Sequence, residues 1–349
     1  LVNRDQTDFT AESNGTAVQR ARTLVTDLWY PAAKGTRPGT RYETLLRDGV
    51  RPVTLQGRAA RDATPAKLAP CPLVMISHGY PGNRYLMGHL AENLASKGYI
   101  VASINHQGSL YSDMGQFAST LLNRPLDQRF VLDQLASRVG LAPDLAAITN
   151  ASNAAVIGFS MGGYGALVFG GAGISADFVK SSLAPPDGLL ARHRAGEKQH
   201  TALVDDRVKA VAAFGPWGMN NGAWDADGLA KFAKPLLVVA GSADDTSGYA
   251  DMRRITGLAT GTTRHLLTFL NAGHNAGASI PAPAEAWEAS KDLDFHPFEH
   301  YADPVWDTLR MNKIAQHYAA AFMGMHLRGD DTAGMLDGAD WPGFAPGSA

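Results

Sequence analysis

The sequence predicts an α/β fold, in which a mostly parallel, doubly wound β-sheet lies between layers of helices. Runs rich in Val, Ile and Leu have the composition of strands that are buried on both faces. They occur at residues 73–77, 99–104, 154–159, 208–214, 236–240 and 265–270. Segments of helical composition, such as 87–97 and 129–139, separate several of these runs. This strand–helix–strand alternation is typical of a parallel sheet that carries helices on both faces.

The first residues follow a different pattern. Residues 23–30 alternate between apolar and polar side chains and are followed by Pro31. This pattern predicts an antiparallel hairpin with residues 2–10, at the edge of the main sheet. Residues 59–71 are a polar connector rich in Ala and Pro, and a last helix is expected over residues 308–327.

Two segments interrupt the strand–helix rhythm. Residues 176–206 contain Pro185, Pro186 and many charges, and residues 281–304 contain four prolines and four aromatic residues. We expect each segment to be either a cap or rim element over a site or a plain surface loop. The remaining pattern is continuous, and it predicts a single domain over residues 1–349.

The composition excludes several classes of protein. A hydrophobic fraction of 45% and a charged fraction of 18% over 349 residues are globular, neither disordered nor coiled-coil. A formal net charge of −2 without a basic stripe argues against a nucleic-acid partner. No apolar run approaches the ~20 residues that span a bilayer.

Cysteine use and the start of the chain bear on the compartment. The single cysteine, Cys71, excludes an intrachain disulfide and a cysteine-rich metal site. The chain starts at Leu1 rather than at Met, which a removed signal peptide or a choice made in cloning would explain. We expect a secreted or periplasmic protein rather than a cytoplasmic one.

The motif that carries chemistry follows the third apolar run. Residues 158–162 read Gly-Phe-Ser-Met-Gly, a G-x-S-x-G pattern between a buried strand and a helix-like segment. A sharp strand-to-helix turn needs glycines where the backbone approaches closely, and it places the serine at a helix N-terminus. Backbone N–H groups there favour developing negative charge. We predict Ser160 as a nucleophile; the alternative is a glycine-rich turn that only packs tightly.

Such a serine needs an acid and then a histidine later in the chain. Within residues 235–245, an apolar run leads into Gly241, Asp244 and Asp245. His274 follows the last apolar run. The histidine would accept the serine proton, and the aspartate would fix the imidazole tautomer. Spacing from the glycine favours Asp244 as the acid, with Asp245 as the alternative.

An oxyanion needs two backbone N–H donors. We predict those of Met161, next to the nucleophile, and of Tyr80, in a glycine-rich turn after the first apolar run. Trp217 follows a strand end and is expected to line the acyl or alcohol pocket or to pack on its rim. His106, in the loop after the second run, is a candidate substrate contact, although a loop histidine is more often structural.

In these features the chain resembles the α/β-hydrolase family. It is similar to the branch of platelet-activating-factor acetylhydrolases, dienelactone-hydrolase-like proteins and bacterial cutinase-like polyester hydrolases. The shared motifs are LWYP at residues 28–31, SHGY at 77–80, GFSMG at 158–162 and NAGH at 271–274. The resemblance implies an α/β-hydrolase fold and hydrolysis of carboxylic esters. Dienelactone hydrolases carry cysteine where this chain has Ser160, and the two inserted segments exceed a minimal cutinase-like core.

The sequence thus predicts a serine carboxylesterase that forms an acyl-enzyme on a small-molecule, lipid or polymer ester and needs no cofactor. The alternatives are an amidase, a perhydrolase or an acyltransferase with the same triad, or a non-catalytic binding protein of this fold.

Residues 296–300 (HPFEH) match an inverted zinc-protease pattern. A zinc site there needs a helix and a third ligand, and Pro297 and the absence of an apolar stripe argue against it. We expect no metal.

Overall fold

The computed structural model describes residues 3–8, 18–115, 117–138 and 140–337. The strands are β1 (Asn3–Asp8), β2 (Val18–Thr23), β3 (Thr26–Trp29), β4 (Thr40–Leu45), β5 (Pro52–Gly57), β6 (Cys71–Ser77), β7 (Ile100–Ile104), β8 (Ser109–Leu110), β9 (Asp113–Met114), β10 (Thr149–Phe159), β11 (Val208–Phe214), β12 (Leu236–Gly241) and β13 (Arg264–Phe269). The α-helices are α1 (Gly88–Ala95), α2 (Phe117–Ala136), α3 (Pro143–Ile148), α4 (Met161–Gly170), α5 (Ala176–Val179), α6 (Lys198–Leu203), α7 (Ala226–Ala230), α8 (Tyr249–Leu258) and α9 (Thr308–Arg328). Short 3-10 helices lie at Pro186–His193, Met219–Asn221, Ala284–Trp287, Pro297–His300 and Ala333–Met335.

The main sheet has the strand order β13-β12-β11-β10-β6-β7-β3. Every neighbouring pair in it is parallel except β3 and β7, which are antiparallel. All six apolar runs form strands of this sheet. The predicted α/β fold, with a mostly parallel sheet and an antiparallel N-terminal edge, is therefore confirmed.

The sheet is buried on both faces because helices cover each of them. Along β6, Leu73 and Met75 belong to the core under α2 and α4. The alternating residues Val74 and Ile76 belong to the opposite core, which α1 and α9 cover. Successive side chains of a strand point to opposite faces, so a run in which every residue is apolar is what this doubly covered position requires.

The predicted N-terminal hairpin is wrong in its pairing. Strand β1 pairs with β2 in a separate two-stranded sheet, in a register that sets Asn3 opposite Thr23. Strand β3 instead adds to the edge of the main sheet, with Trp29 opposite Val101 of β7. One alternating stretch therefore divides between two sheets, which local periodicity cannot show. Residues 2, 9 and 10 of the predicted partner stretch lie outside the described residues.

Helix α2 differs from the sequence prediction in where it begins. Helix α2 begins well before the predicted 129–139 segment and contains Pro125 in its interior. An interior proline usually ends a helix, and polar residues such as Asn123, Arg124 and Asp127 are buried on α2. No apolar stripe marks its first turns. Helix α9 matches the prediction closely: the Asp307 side chain caps its start.

The inserted segments and one hairpin complete the fold. Residues 176–206 form α5, a 3-10 helix and α6, and residues 281–304 form two short 3-10 helices. Strands β4 and β5 form an antiparallel hairpin that the sequence does not predict. Along the chain, this hairpin lies between β3 and the connector at residues 59–71. No helix among the described residues is both long and apolar enough to cross a bilayer.

Candidate active site

Ser160 lies in the turn between β10 and α4. Its backbone has φ 52° and ψ −115°, and residues other than glycine seldom adopt a positive φ. Three hydrogen bonds hold this backbone. The Ser160 N–H donates to the carbonyl of Phe214 at 2.8 Å, and its carbonyl accepts from Tyr164 at 3.0 Å and Trp217 at 3.2 Å. The neighbouring strand and the loop that follows it therefore keep the serine at the end of the sheet.

The two glycines around Ser160 are required by close backbone packing. A Cβ atom on Gly158 would lie 2.1 Å from the Gly162 carbonyl oxygen, and one on Gly162 would lie 2.0 Å from the Ser77 carbonyl oxygen. Neither space accepts a methyl group. The G-x-S-x-G pattern thus has a structural cause: α4 begins directly against both its own strand and the end of β6.

Asp244 and His274 form a hydrogen-bonded pair. Oδ2 of Asp244 lies 2.8 Å from Nδ1 of His274. Oδ1 of Asp244 accepts the N–H groups of Thr246 and Ser247, each at 2.9 Å, so the buried carboxylate is held on both oxygens. Asp245 is exposed and points elsewhere, within 3.5 Å of the Thr246 hydroxyl. Of the two candidate acids, the structure joins Asp244 to the histidine.

The His274 ring lies beside the serine turn. A Cβ atom on Gly215 would lie 3.2 Å from Cε1 and Nδ1 of the ring, and Gly215 follows Phe214, whose carbonyl accepts the Ser160 N–H. The ring centroids of Phe159 and His274 are 5.0 Å apart. No hydrogen bond joins Ser160 to His274 within the described ranges. Catalytic hydrogen bonds often shorten only when a substrate is bound.

The two predicted oxyanion donors lie on either side of Ser160. Met161 is the first residue of α4, so its N–H has no acceptor within the helix. Tyr80 follows Gly79, where a Cβ atom would lie 3.4 Å from Cβ of Ser160. Neither N–H donates to another protein group in the part of the chain that the structure describes. Both are available to a negatively charged oxygen.

An aromatic cluster lies next to the serine turn. The half-buried Trp217 ring has its centroid 5.0 Å from that of Phe117 and 6.3 Å from those of Tyr164 and Phe178. Tyr80 joins the cluster through Phe117, at 5.2 Å. The backbone N–H of Trp217 donates to the Ser160 carbonyl, so the cluster is tied to the serine turn. Phe178 belongs to the first inserted segment, which therefore contributes a ring to this cluster.

His106 lies beneath the site rather than on its surface. It is 1% exposed, Nε2 lies 2.9 Å from the Ser77 hydroxyl, and Nδ1 lies 3.1 Å from Asp127. Burial, together with the charge of Arg124, lowers the pKa of His106 to about 3. With both ring nitrogens engaged by the protein, nothing remains to contact a substrate. His106 therefore belongs to a buried hydrogen-bonded network. Trp217, by contrast, is half-buried.

The second inserted segment is tied to the His274 loop. The side chain of Asn275 donates to the carbonyls of Glu299 and Ala302, each at 2.9 Å. The N–H of Gly273 donates to Asp303 at 2.6 Å. Residues on both sides of His274 are therefore held by residues 299–303. The second inserted segment therefore packs beside the His274 loop.

Arg47 and Tyr111, which no sequence motif singles out, contact the second inserted segment. Nε2 of His300 lies 2.9 Å from the Tyr111 hydroxyl. Burial, with Arg47 and His274 nearby, lowers the pKa of His300 to about 3. The Arg47 guanidinium lies 5.5 Å from the centre of the Phe295 ring. Arg47 and Tyr111 lie far from residues 295–300 along the chain, so no spacing in the sequence links them to that segment.

No group of three or more His, Cys, Asp or Glu side chains placed to hold a metal ion occurs among the described residues. The HPFEH pattern lies on a four-residue 3-10 helix and its N-cap, not on an α-helix. His296 and His300 therefore lack the helical one-face arrangement of that zinc motif.

Comparison with known proteins identifies the fold. The family described as alpha/beta hydrolase fold matches residues 72–180. A solved structure, described as ferulic acid esterase from Streptomyces cinnamoneus, is similar with a TM-score of 0.60 and 22% identity. The match covers 97% of this chain and 92% of that one. No curated protein matches the sequence. The chain has the α/β-hydrolase fold that the resemblance implied; the branch that its motifs resemble stays a prediction.

Proposed function

We propose that this chain is a serine-dependent carboxylic ester hydrolase with Ser160, His274 and Asp244 as its triad. The observation that carries the proposal is the 2.8 Å contact between His274 and Asp244, beside a serine held in a strand-to-helix turn. A buried aspartate that bonds Nδ1 leaves Nε2 of the imidazole to act on the serine. The similarity to a structure described as an esterase supports an ester as the substrate.

The first half of the reaction forms an acyl-enzyme. Ser160 Oγ attacks the ester carbonyl carbon while its proton passes to Nε2 of His274. The carbonyl oxygen becomes an anion that the N–H groups of Tyr80 and Met161 stabilise. The bond between the carbonyl carbon and the alcohol oxygen then breaks, and His274 returns its proton to the leaving alcohol. Asp244 stabilises the imidazolium during these steps.

The second half restores the enzyme. A water molecule gives one proton to His274 and attacks the acyl carbon, and the same two N–H groups hold the new oxyanion. The bond to Ser160 Oγ breaks, and His274 returns the proton to that oxygen. An ester and one water thus give one acid and one alcohol. Apart from the ester and this water, the steps use only the side chains and N–H groups named above.

The aromatic cluster supports a preference for acyl groups with a flat, apolar surface. The Phe117 ring contacts those of Trp217 and Tyr80 edge to face. Aromatic rings favour this geometry with another ring. We propose that aryl or arylalkenoyl esters are better substrates than esters of long alkyl acids. The neighbour's description as a ferulic acid esterase is in keeping with this preference.

The proposal is tested by hydrolysis of p-nitrophenyl esters from acetate to palmitate and of methyl cinnamate. We expect turnover that a fluorophosphonate inhibits, with the label on Ser160. Ser160→Ala should lower kcat by at least ~10⁴-fold without loss of fold. Ser96→Ala, an exposed change at the end of α1, is a control that should retain turnover. A Ser160→Ala variant with near-parental kcat would contradict the triad. Hydrolysis of amides in preference to esters would instead indicate an amidase that uses the same triad.

A further inference from the structure

Residues 78–82 contain the proposed oxyanion donor Tyr80 and are called the oxyanion loop below. Beneath this loop lies a buried polar network on helix α2. Arg124 and Asp127 are 1% and 0% exposed, and Arg22 is 4% exposed. Arg22 donates to Asp127 at 2.9 Å, and His106 joins the same carboxylate at 3.1 Å. Polar groups are costly to bury without partners. A network of this size next to a predicted oxyanion hole therefore suggests a role.

The Arg124 guanidinium points at the carbonyls of the oxyanion loop. Its Nη1 donates to the carbonyl of His78 in a short hydrogen bond, and its Nη2 lies 3.4 Å from the carbonyl oxygen of Gly79. The same Nη2 donates to the Ser109 hydroxyl. His78 also supports Gly79, because its Nδ1 lies 2.8 Å from that carbonyl. Two side chains thus hold one peptide oxygen inside the protein.

Holding that oxygen fixes the direction of the Tyr80 N–H. The Gly79 carbonyl and the Tyr80 N–H belong to one planar peptide unit, and in a trans peptide the two groups point in opposite directions. With the carbonyl turned toward Arg124 and His78, the N–H points away from them. A Cβ atom on Gly79 would lie 3.4 Å from Cβ of Ser160, so the nucleophile lies beside this peptide.

Helix α2 also supports the other half of the oxyanion hole. One turn after Arg124, the side chain of Gln128 donates to the carbonyl of Gly162 at 3.3 Å. A Cβ atom on Gly165 of α4 would lie 2.5 Å from Cγ of Arg124 and 2.9 Å from Nε2 of Gln128. The Arg124 stem therefore lies directly against α4. Positions i and i+4 share one face of a helix, so one face of α2 contacts both donor segments.

The charge of this network is also suited to supporting the proposed oxyanion hole. Burial and the nearby charge of Arg22 lower the pKa of Arg124 to about 9, with Asp127 opposing them, so the guanidinium is cationic at neutral pH. Burial also lowers the pKa of His106 to about 3, so that ring is neutral. Arg22 and Arg124 bring two positive charges to the carboxylate of Asp127. Cations behind an oxyanion hole stabilise the negative charge that develops there.

We infer that Arg124 is a positioning residue for the oxyanion hole: its guanidinium holds the His78 and Gly79 carbonyls and so directs the Tyr80 N–H toward the reacting carbonyl oxygen. The inference rests on the proposed ester hydrolysis and adds to it a residue that does not touch the substrate.

The test compares Arg124→Gln and Arg124→Lys with Val131→Ala, a buried apolar change about two turns further along the same helix. Removing a whole oxyanion donor costs ~10²–10³ in kcat. We therefore expect Arg124→Gln, whose donor is misdirected rather than absent, to lose about 10- to 100-fold in kcat, with little change in KM. Lysine keeps the charge without the two-pronged geometry, so Arg124→Lys should lose less. Val131→Ala should lose stability and keep its kcat.

A second measurement separates this inference from the proposed function. Crystal structures of the parent and of Arg124→Gln, or of Arg124→Lys if the former does not fold, show the orientation of the Gly79–Tyr80 peptide. A turned peptide supports the inference. An unchanged peptide with kcat lowered no more than in Val131→Ala overturns it. If the parent hydrolyses no ester, the proposed function fails, and the peptide orientation alone decides for or against Arg124.

Discussion

Nδ1 of His274 lies 2.8 Å from Oδ2 of Asp244, a carboxylate that is 4% exposed. The second oxygen of Asp244 is held by two backbone N–H groups, so the carboxylate cannot turn away from the ring. A fixed, buried acceptor determines which nitrogen of the imidazole carries the proton. The pairing also leaves the adjacent Asp245 without a place in the site.

This relationship predicts that the two neighbouring aspartates differ sharply in importance. Asp244→Asn should lower kcat for p-nitrophenyl acetate by about 10⁴-fold, because an amide in its place favours the wrong imidazole tautomer. Asp245→Asn, a matched exposed change, should stay within about twofold, as surface substitutions usually do. Steady-state kinetics of both variants check this prediction. Equal losses in the two would remove Asp244 from its proposed role.

The glycine pattern around Ser160 predicts a large effect on stability. Gly162→Ala would place a methyl group 2.0 Å from the Ser77 carbonyl oxygen. We expect the free energy of unfolding to fall by ~1–3 kcal/mol or more, since overpacking against backbone cannot be relieved by a rotamer change.

The matched control is Gly257→Ala. Gly257 lies on α8, and a Cβ atom there meets nothing within 4 Å. This change should be neutral or stabilise the fold by ~0.5–1 kcal/mol, because alanine favours a helix interior. Urea unfolding of both variants gives the comparison. A Gly162→Ala variant as stable as the parent would show that the turn tolerates a side chain.

The aromatic cluster predicts a change in substrate preference. Trp217→Ala removes the ring that contacts Phe117, Tyr164 and Phe178. We expect kcat/KM for an aryl acyl ester to fall by about 10-fold or more, since losing one aromatic contact and its buried area costs ~1.5 kcal/mol or more. For p-nitrophenyl acetate the change should be much smaller, because an acetyl group is too short to fill the cluster. Parallel losses on both esters would place Trp217 outside the acyl pocket.

The buried histidines predict loss of stability in acid. Burial lowers the pKa of His89 to about 4 and that of His193 to about 3, while a histidine in the unfolded chain has a pKa of about 6.5. Below that pH the unfolded chain binds protons that the folded chain does not. Their contribution to stability is therefore complete above about pH 6.5 and falls as the pH drops toward 4.

Urea midpoints between pH 7.5 and pH 4.5 measure this slope. His193 lies 2.8 Å from the carbonyl oxygen of Leu122, so His193→Gln keeps a donor for that oxygen and removes the titrating group. We expect the variant to show a shallower decline in acid than the parent. His296→Gln, an exposed change, should leave the slope as it is. A slope that His193→Gln does not alter would assign the acid sensitivity to other groups.

The comparison of sequence with structure separates local from distant determinants. The six apolar runs, the serine turn and α9 could be predicted because each depends on periodicity, composition or steric limits within about 20 residues. The division of the N-terminal stretch between two sheets could not, because β3 is held by β7, far along the chain. The early start of α2 was also missed, since Pro125 and its buried polar residues hide the helical pattern.

The same distinction applies to the site. The sequence alone determined the fold class, the turn at Ser160 and the order of the three proposed triad residues, because strand ends in a doubly wound sheet meet at one edge. Only the tertiary structure shows that Asp244, and not Asp245, is hydrogen-bonded to His274. It also shows that His106 is buried and that Arg124 contacts the carbonyls of His78 and Gly79. Those contacts join residues from separate elements, and their geometry exists only when the helices and strands have packed.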